Sequence, residues 1–313
     1  MTVGDLGEFG LIQRITGRLR QGPDVLLGPG DDAAVLKAPD GRVVVTTDLL
    51  VEGRHFRRDW SSGYDIGRKA AAQNLADVAA MGARPTAIFV GLGIPRDLPV
   101  DWAEQLTDGL RDECGLVGAS VAGGDIVGAD SVVVGVTALG DLQGRAPVTR
   151  AGARPGQVVA VAGRLGYAAA GLALLQAGRA ISGFEELVAA HRRPAPPYGR
   201  GPEAAELGAT AMLDVSDGLV QDLGHIAEAG GVGVELDPGA LEVPEVMGAA
   251  ARALGADPLD WVLTGGEDHA LAAVFPEGAR LGDGWRIVGR VTGGRGVLVK
   301  GRDPGRGGWD HFQ

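Results

Sequence analysis

Leu213-Asp214-Val215-Ser216-Asp217-Gly218-Leu219 (213–219) joins two kinds of periodicity. It begins as a short apolar run and ends in Leu219, Val220, Leu223, Ile226 and Ala227, which have the spacing of a buried helix face. Asp217, just before that run, is expected to cap the helix, because a short carboxylate can accept from unsatisfied first-turn N–H groups. A strand that turns through Asp-Val-Ser-Asp-Gly into a helix is the unit of an α/β or α+β protein. Further strand-like runs, rich in valine and bounded by Gly, Pro or Asp, are Val43 to Thr47, Ala87 to Leu92, Ser131 to Leu139 and Gln157 to Ala162. Helix-like runs are Gly67 to Met81, Trp102 to Glu113, Tyr167 to Ala177 and Leu219 to Ala229. The 313 residues suffice for about two domains. A break is expected in the Gly, Pro and Arg-rich stretch Arg145 to Gly156, dividing residues 1–147 from 148–313. Arg192 to Pro202 is expected to be a long loop within the second half, and the terminal GRDPGRGGWDHFQ also reads as a loop.

Aspartates recur where the chain is expected to change direction. They stand in Gly28-Pro29-Gly30-Asp31-Asp32, Thr46-Thr47-Asp48, Asn74-Leu75-Ala76-Asp77, Gly123-Gly124-Asp125, the 213–219 stretch and Gly265-Gly266-Glu267-Asp268. Adjacent carboxylates repel each other unless a cation lies between them. Asn74 and Asp77, three apart, share one helix face. Hard oxygen ligands of this kind suit Mg²⁺ and the phosphates it accompanies. Taken singly, each motif is equally a solvated turn or a helix cap. Six together point to a multi-metal phosphate site as strongly as to any structural role.

Composition narrows the choice. The net charge of −11 disfavours a nucleic-acid partner, and it makes divalent metal the natural means of holding a nucleotide. Only Lys37, Lys69 and Lys300 are lysines and none follows a glycine, so the G-x-x-x-x-G-K-[ST] phosphate loop is absent. H-E-x-x-H and G-x-S-x-G are absent too. The five histidines show no close ligand spacing, and Cys114, the single cysteine, excludes a cysteine-rich zinc site and an intrachain disulfide. The opening MTVGDLGEFG lacks a basic start followed by an apolar stretch, and no apolar run approaches the ~20 residues of a membrane helix. A soluble cytoplasmic protein without membrane contact is expected.

The motifs together resemble thiamine-monophosphate kinases, of the superfamily that includes aminoimidazole ribonucleotide synthetase and selenophosphate synthetase. The resemblance is carried, in order, by GEFGLI (7–12), GPGDDAAV (28–35), TTDLLVEGRHF (46–56), NLADVAAMGARP (74–85), GGD (123–125), VTRAGARPG with Arg150, LDVSDGL (213–219), TGGEDHAL (264–271) and GWDHF (308–312). It implies two α/β domains, the first binding ATP and Mg²⁺ and the second completing the nucleotide and substrate site. It also implies a homodimer whose N-terminal sheets pair, ATP and thiamine monophosphate as substrates, and several Mg²⁺ ions. By position, Asp31, Asp32, Thr46, Thr47, Asp48, Asp77, Asp125, Asp214 and Asp217 are the implied metal ligands. Gly124, Asp125, Arg150 and Ser216 are implied ATP contacts, and His55, Glu267 and Trp309 implied contacts to thiamine monophosphate. Asp48, Asp125, Arg150 and Asp217 make up the implied catalytic set. Val117 stands where the family commonly has an aromatic, which removes one adenine-side contact. Trp309 stands where tyrosine is also found and keeps a face able to stack on a cationic thiazolium.

A phosphate acceptor is already anionic near neutral pH, so direct in-line attack on the γ-phosphorus needs no general base, and catalysis reduces to positioning and charge neutralisation. Sister enzymes of the superfamily share the aspartates. Selenophosphate synthetase needs a reactive Cys or selenocysteine near its N-terminus, whereas Cys114 lies far from there, and the ribonucleotide synthetase has no requirement for the terminal GWDHF. A non-enzymatic acidic scaffold that binds divalent ions is the alternative outside enzymology, and it has no need of Arg150.

Overall fold

The computed structural model describes residues 1–29, 33–178 and 182–302. These fall into two compact units, residues 1–78 with 83–144, and residues 79–82 with 145–302.

The first unit begins with α1 (Val3–Leu6), α2 (Glu8–Thr16) and a two-stranded ribbon of β1 (Val25–Leu27) and β2 (Val35–Leu36). Next come β3 (Val44–Val51), α3 (Gly63–Ala80), β4 (Arg84–Ile94), α4 (Val100–Gly115), β5 (Ser120–Gly128) and β6 (Val133–Asp141). The sheet order is β3-β6-β4-β5, antiparallel except for β4 beside β5. Parallel neighbours need a crossover, and α4 supplies it. Helix α3 is buried on nearly every side, with Ala71, Leu75 and Val78 fully buried and Lys69, Gln73 and Asn74 buried beside them. It packs tightly on α4 through glycines: a Cβ on Gly67 would lie 2.1 Å from the Leu106 carbonyl oxygen, and one on Gly109 2.2 Å from that of Tyr64.

The second unit contains β7 (Val158–Ala162), α5 (Tyr167–Gln176), α6 (Glu185–Arg192), α7 (Arg200–Glu206), β8 (Ala211–Val215), α8 (Leu219–Gly230), β9 (Gly233–Leu236), α9 (Glu245–Leu254), α10 (Pro258–Thr264), β10 (Ala270–Phe275), β11 (Arg286–Thr292) and β12 (Gly296–Val299). Its six-stranded sheet runs β12-β9-β11-β7-β10-β8. Every residue of β10 is buried. Ala270, Ala272 and Val274 join the larger apolar core with α5, α8, α9 and α10, while Leu271, Ala273 and Phe275 join a second core with Ala204 and Trp285. A continuous apolar strand is the signature of a sheet covered on both faces.

Three local expectations are corrected. Thr46-Thr47-Asp48 and Gly123-Gly124-Asp125 lie inside strands β3 and β5, not at strand ends. Asp217 does not cap α8: Gly218 is the capping residue, and Asp222, reaching back from the first turn, accepts from the N–H groups of Asp217 and Gly218, each at 3.0 Å. The loop expected to end at Pro202 ends earlier, because Arg200 starts α7 and Pro202 sits in its first turn, where a missing N–H costs nothing.

Candidate active site

In the first unit, strand alternation separates the three residues of Thr46-Thr47-Asp48. The Thr46 hydroxyl donates to Asp77 Oδ2 on α3 at 2.7 Å. The Asp48 N–H donates to Asn74 Oδ1 at 3.0 Å, and the buried Asn74 amide in turn donates to the Ala70 carbonyl at 2.9 Å. Asn74 and Asp77 thus share the face turned to β3, as their spacing predicts. Thr47 points the other way, donating to the Val136 carbonyl at 3.0 Å and accepting from the Thr137 hydroxyl at 3.2 Å, so its hydroxyl is not gathered with Thr46 and Asp77.

His55 follows β3, and its Nδ1 accepts from the Val51 N–H at 3.0 Å. A ring nitrogen that accepts carries no proton, so the imidazole is neutral and bears its proton on Nε2. Below it, the buried Lys69 ammonium donates to the His55 carbonyl at 3.3 Å. Gly124 and Asp125 line an open cavity of about 770 Å³ whose apolar walls include Ile12, Leu19, Phe89 and Leu110. Gly28, Pro29, Ala33 and Ala34 also border it. Only glycine fits at position 124, because a Cβ there would meet the Val90 carbonyl oxygen at 2.2 Å.

In the second unit two connections meet. Strands β8 and β10 are antiparallel neighbours, with Val215 opposite Ala270 and Asp214 opposite Leu271. The turn after β8 therefore adjoins the segment before β10. The Glu267 N–H donates to the Ser216 carbonyl at 2.8 Å and the His269 N–H to the Val215 carbonyl at 3.0 Å. Asp214, Ser216, Asp217 and Glu267 are brought together in this way. Asp214 Oδ2 lies 2.9 Å from His269 Nδ1, and Glu267 Oε2 lies 3.4 Å from Nδ1 of the buried His191. Burial raises the Asp222 carboxyl to about 7, against the lowering effect of the Asp217 N–H, and the negative charges of Asp217 and Asp214 raise it further. Arg150 is exposed on a short turn whose preceding residue, Thr149, accepts from the Met212 N–H at 3.3 Å.

Among the described residues no group of three or more His, Cys, Asp and Glu side chains is assembled closely enough to hold a metal ion. The chemistry is nonetheless that of a hard cation: Thr46, Asp48 and Asp77 offer oxygen only, and the mutual repulsion of Asp214, Asp217 and Asp222 is what a divalent ion relieves. Asp31, Asp32 and Trp309 lie outside the described residues.

Residues 30–142 match the family of AIR synthase related proteins, N-terminal domain, and residues 154–301 the corresponding C-terminal domain. The thiamine-monophosphate kinase of Mycobacterium tuberculosis is 54% identical over 314 aligned positions, covering 99% of this chain and 93% of the relative. This chain belongs to the thiamine-monophosphate kinase family.

At least two solved structures share its fold. One is the thiamine-monophosphate kinase from Stenotrophomonas maltophilia K279a, with a TM-score of 0.83, 34% identity, and coverage of 95% of this chain and 97% of the other. The other is AaThiL complexed with AMPPCP and TMP, with a TM-score of 0.81, 31% identity, and coverage of 100% and 99%. The two-domain α/β architecture expected of thiamine-monophosphate kinases is therefore the one observed. Three residues escape a motif reading of such a kinase: Lys69, His191 and Asp222. Lys69 and Asp222 carried a signal, being charges at otherwise apolar positions of a helix. His191 carried none, since only the folded chain sets it beside Glu267; His269 lies within TGGEDHAL, but only the fold joins it to Asp214, 55 residues away.

Proposed function

We propose that this chain transfers the γ-phosphoryl group of ATP to the phosphate of thiamine monophosphate, yielding thiamine diphosphate and ADP, as a step of thiamine diphosphate biosynthesis. The observation that carries this reading is whole-length kinship: 54% identity to a thiamine-monophosphate kinase across 99% of the chain. A relative of 31% identity that binds AMPPCP, an ATP analogue, together with TMP supports the pair of substrates.

Residues 1–147 act as the ATP, Mg²⁺ and dimerisation domain, and residues 148–313 complete the nucleotide and substrate site. The 770 Å³ cavity bordered by Gly124 and Asp125 supports nucleotide binding in the first of these. Asp31, Asp32, Thr46, Thr47, Asp48, Asp77, Asp125, Asp214 and Asp217 form the proposed Mg²⁺ set, Thr47 and Asp125 standing on the sheet face opposite that of Thr46 and Asp48. Mg²⁺ held there supplies charge neutralisation between the donor and acceptor anions. Arg150 and Ser216 contact ATP, and the Arg150 guanidinium offers a planar pair of donors to phosphate oxygens. His55 presents Nε2–H, a donor suited to the acceptor phosphate, with its tautomer held by the Val51 N–H. Glu267 faces the cationic end of the substrate and Trp309 stacks on it. The attacking oxygen is already anionic, so the transfer is direct and in line, without a phospho-enzyme.

The protein acts as a cytoplasmic homodimer. Among the described residues no helix is long and apolar enough to cross a membrane. Exposed Val45, Leu49 and Val127 on one face of the first sheet support the pairing of N-terminal halves.

The test is incubation with ATP, Mg²⁺ and thiamine monophosphate, followed by chromatographic detection of thiamine diphosphate. Asp48→Asn and Asp217→Asn are each expected to lower turnover by at least ~100-fold, in the range seen when a group acting on developing charge is removed. Formation of ADP without thiamine diphosphate would sink the assignment of the acceptor, and undiminished turnover in both variants would sink the site.

A further inference from the structure

Three consecutive residues, Glu267, Asp268 and His269, are each tied to a different element. The Glu267 carboxylate faces His191 of α6 at 3.4 Å. Asp268 is buried, and its Oδ1 accepts from the Ala168 N–H at 2.9 Å, in the first turn of α5. His269 Nδ1 meets Asp214 Oδ2 at 2.9 Å, with both side chains buried. The backbone carries φ of 66° at Glu267 and 52° at His269, the left-handed region. For residues other than glycine that conformation is sterically unfavourable. It persists only where the surroundings determine it, and here they do. Gly266 packs so closely on the turn after β8 that a Cβ would lie 2.3 Å from the Ser216 carbonyl oxygen. The N–H groups of Glu267 and His269 both donate to that same turn.

We propose that His269 is a positioning residue for phosphoryl transfer: from this strained bend its Nδ1–H fixes one oxygen of the Asp214 carboxylate, while the same bend presents Glu267. The proposal rests on the reading of Asp214 as a Mg²⁺ ligand. A buried carboxylate with Asp217 and Asp222 as near neighbours gains from a donor that selects one orientation, and the ring supplies it from the bend that precedes β10. A histidine retained only for packing would not need to direct Nδ1 at the carboxylate that opens the Asp-Val-Ser-Asp-Gly turn. Two neighbours of one turn, the metal side and the substrate side, are thereby held by a single segment.

The experiment uses the full chain. Mg²⁺ affinity is measured by calorimetry with AMPPCP present, kcat and KM for thiamine monophosphate are measured in parallel, and thermal midpoints are taken in EDTA. Removing a partner that orients a metal ligand typically costs 10–100-fold in metal affinity or activity, and His269→Phe is expected to weaken Mg²⁺ binding by that factor and to lower kcat more than it raises KM. His269→Asn tolerates the left-handed backbone and places an amide N–H near the position of Nδ1, so it is expected to stay within about threefold of the parent. His269→Gln, whose amide falls one bond further out, gives the same contrast with His269→Asn should the phenylalanine variant not fold. Parental Mg²⁺ affinity in His269→Phe or His269→Gln, or an asparagine variant as impaired as either, overturns the proposal. Asp214→Asn separates the two levels of the argument. If it leaves Mg²⁺ binding unchanged, the metal reading fails and the proposal with it; if it weakens binding while His269→Phe does not, the positioning role alone fails.

Discussion

Asp268 shows how one buried side chain writes a pH dependence into the fold. Burial raises its carboxyl to about 7 from an ordinary 3.8, although the N–H groups of Ala168 and Gly166 at the head of α5 pull the other way. Its Oδ2 has no hydrogen-bond partner among the described residues. The folded chain therefore keeps this proton up to about pH 7, whereas the unfolded chain releases it near pH 3.8. Between those values the native state binds more protons, so the contribution of Asp268 to stability grows as pH falls and is lost as pH rises through 7. Asp268→Asn removes the titration. In urea denaturation the parent is expected to gain on the variant by ~2 kcal/mol or more between pH 8 and pH 5. A difference that stays flat across that range, or slopes the other way, counts against the reading. His55 gives a second prediction. Because the Val51 N–H holds Nδ1 as an acceptor, the useful donor is Nε2–H. His55→Gln, which can put an amide N–H there, is expected to hold KM for thiamine monophosphate within ~3-fold, while His55→Ala raises it ~10-fold or more, the scale of a lost hydrogen bond to a charged group. Equal KM values in the two variants would remove the donor role.

The contact between α3 and α4 sets the frame that carries Asn74 and Asp77 to β3. Gly67→Ala adds a Cβ 2.1 Å from the Leu106 carbonyl oxygen. The two helices must separate to admit it, and overpacking of this sort costs typically 1–3 kcal/mol. Gly115→Ala, at the end of α4 and with nothing within 4 Å of the new Cβ, is expected to be neutral or to stabilise by up to ~1 kcal/mol. A thermal midpoint for Gly67→Ala equal to that of Gly115→Ala would contradict the tight crossing. At this scale the sequence was legible where periodicity is strong. The helix expected from Tyr167 to Ala177 is found at Tyr167–Gln176, and that from Leu219 to Ala229 at Leu219–Gly230. It misled where charge or glycine sits within a strand. Val43 to Thr47 reads as a strand that stops before Asp48, yet β3 runs on to Val51 because it is an edge strand and Asn74 receives the Asp48 N–H. Gly123-Gly124 resembles a turn, and only the approach of the Val90 carbonyl explains its place inside β5. The histidine beside Glu267 was illegible for a different reason: His191 meets it through contact between distant segments, which leaves no local pattern.

Across the whole molecule, the first sheet leaves one face without internal cover. Alternation along β3 puts Thr46, Asp48 and Leu50 against the helices and Val45, Thr47 and Leu49 on the opposite side, and the pairing register carries Val127 of β5 to that same side. Val45 and Leu49 are each 60% exposed, and Val127 is 56% exposed. Lone exposed apolar residues are ordinary, but several on one sheet face are the composition of a surface that meets another protein. A second copy is the occupant we infer, since a sheet face can pair with itself about a two-fold axis. A charge on this face should then act on assembly before folding. Leu49→Glu is expected to convert a dimer into a monomer in sedimentation equilibrium at micromolar concentration, because an unpaired carboxylate buried at an interface costs several kcal/mol. A carboxylate at an exposed position of a free monomer costs little, so the variant should keep its far-ultraviolet dichroism. Turnover follows assembly only if the partner supports the site, and the same preparation measures that. A Leu49→Glu protein that sediments as a dimer would show that this face is not the contact. A parent that sediments as a monomer would remove the dimer itself.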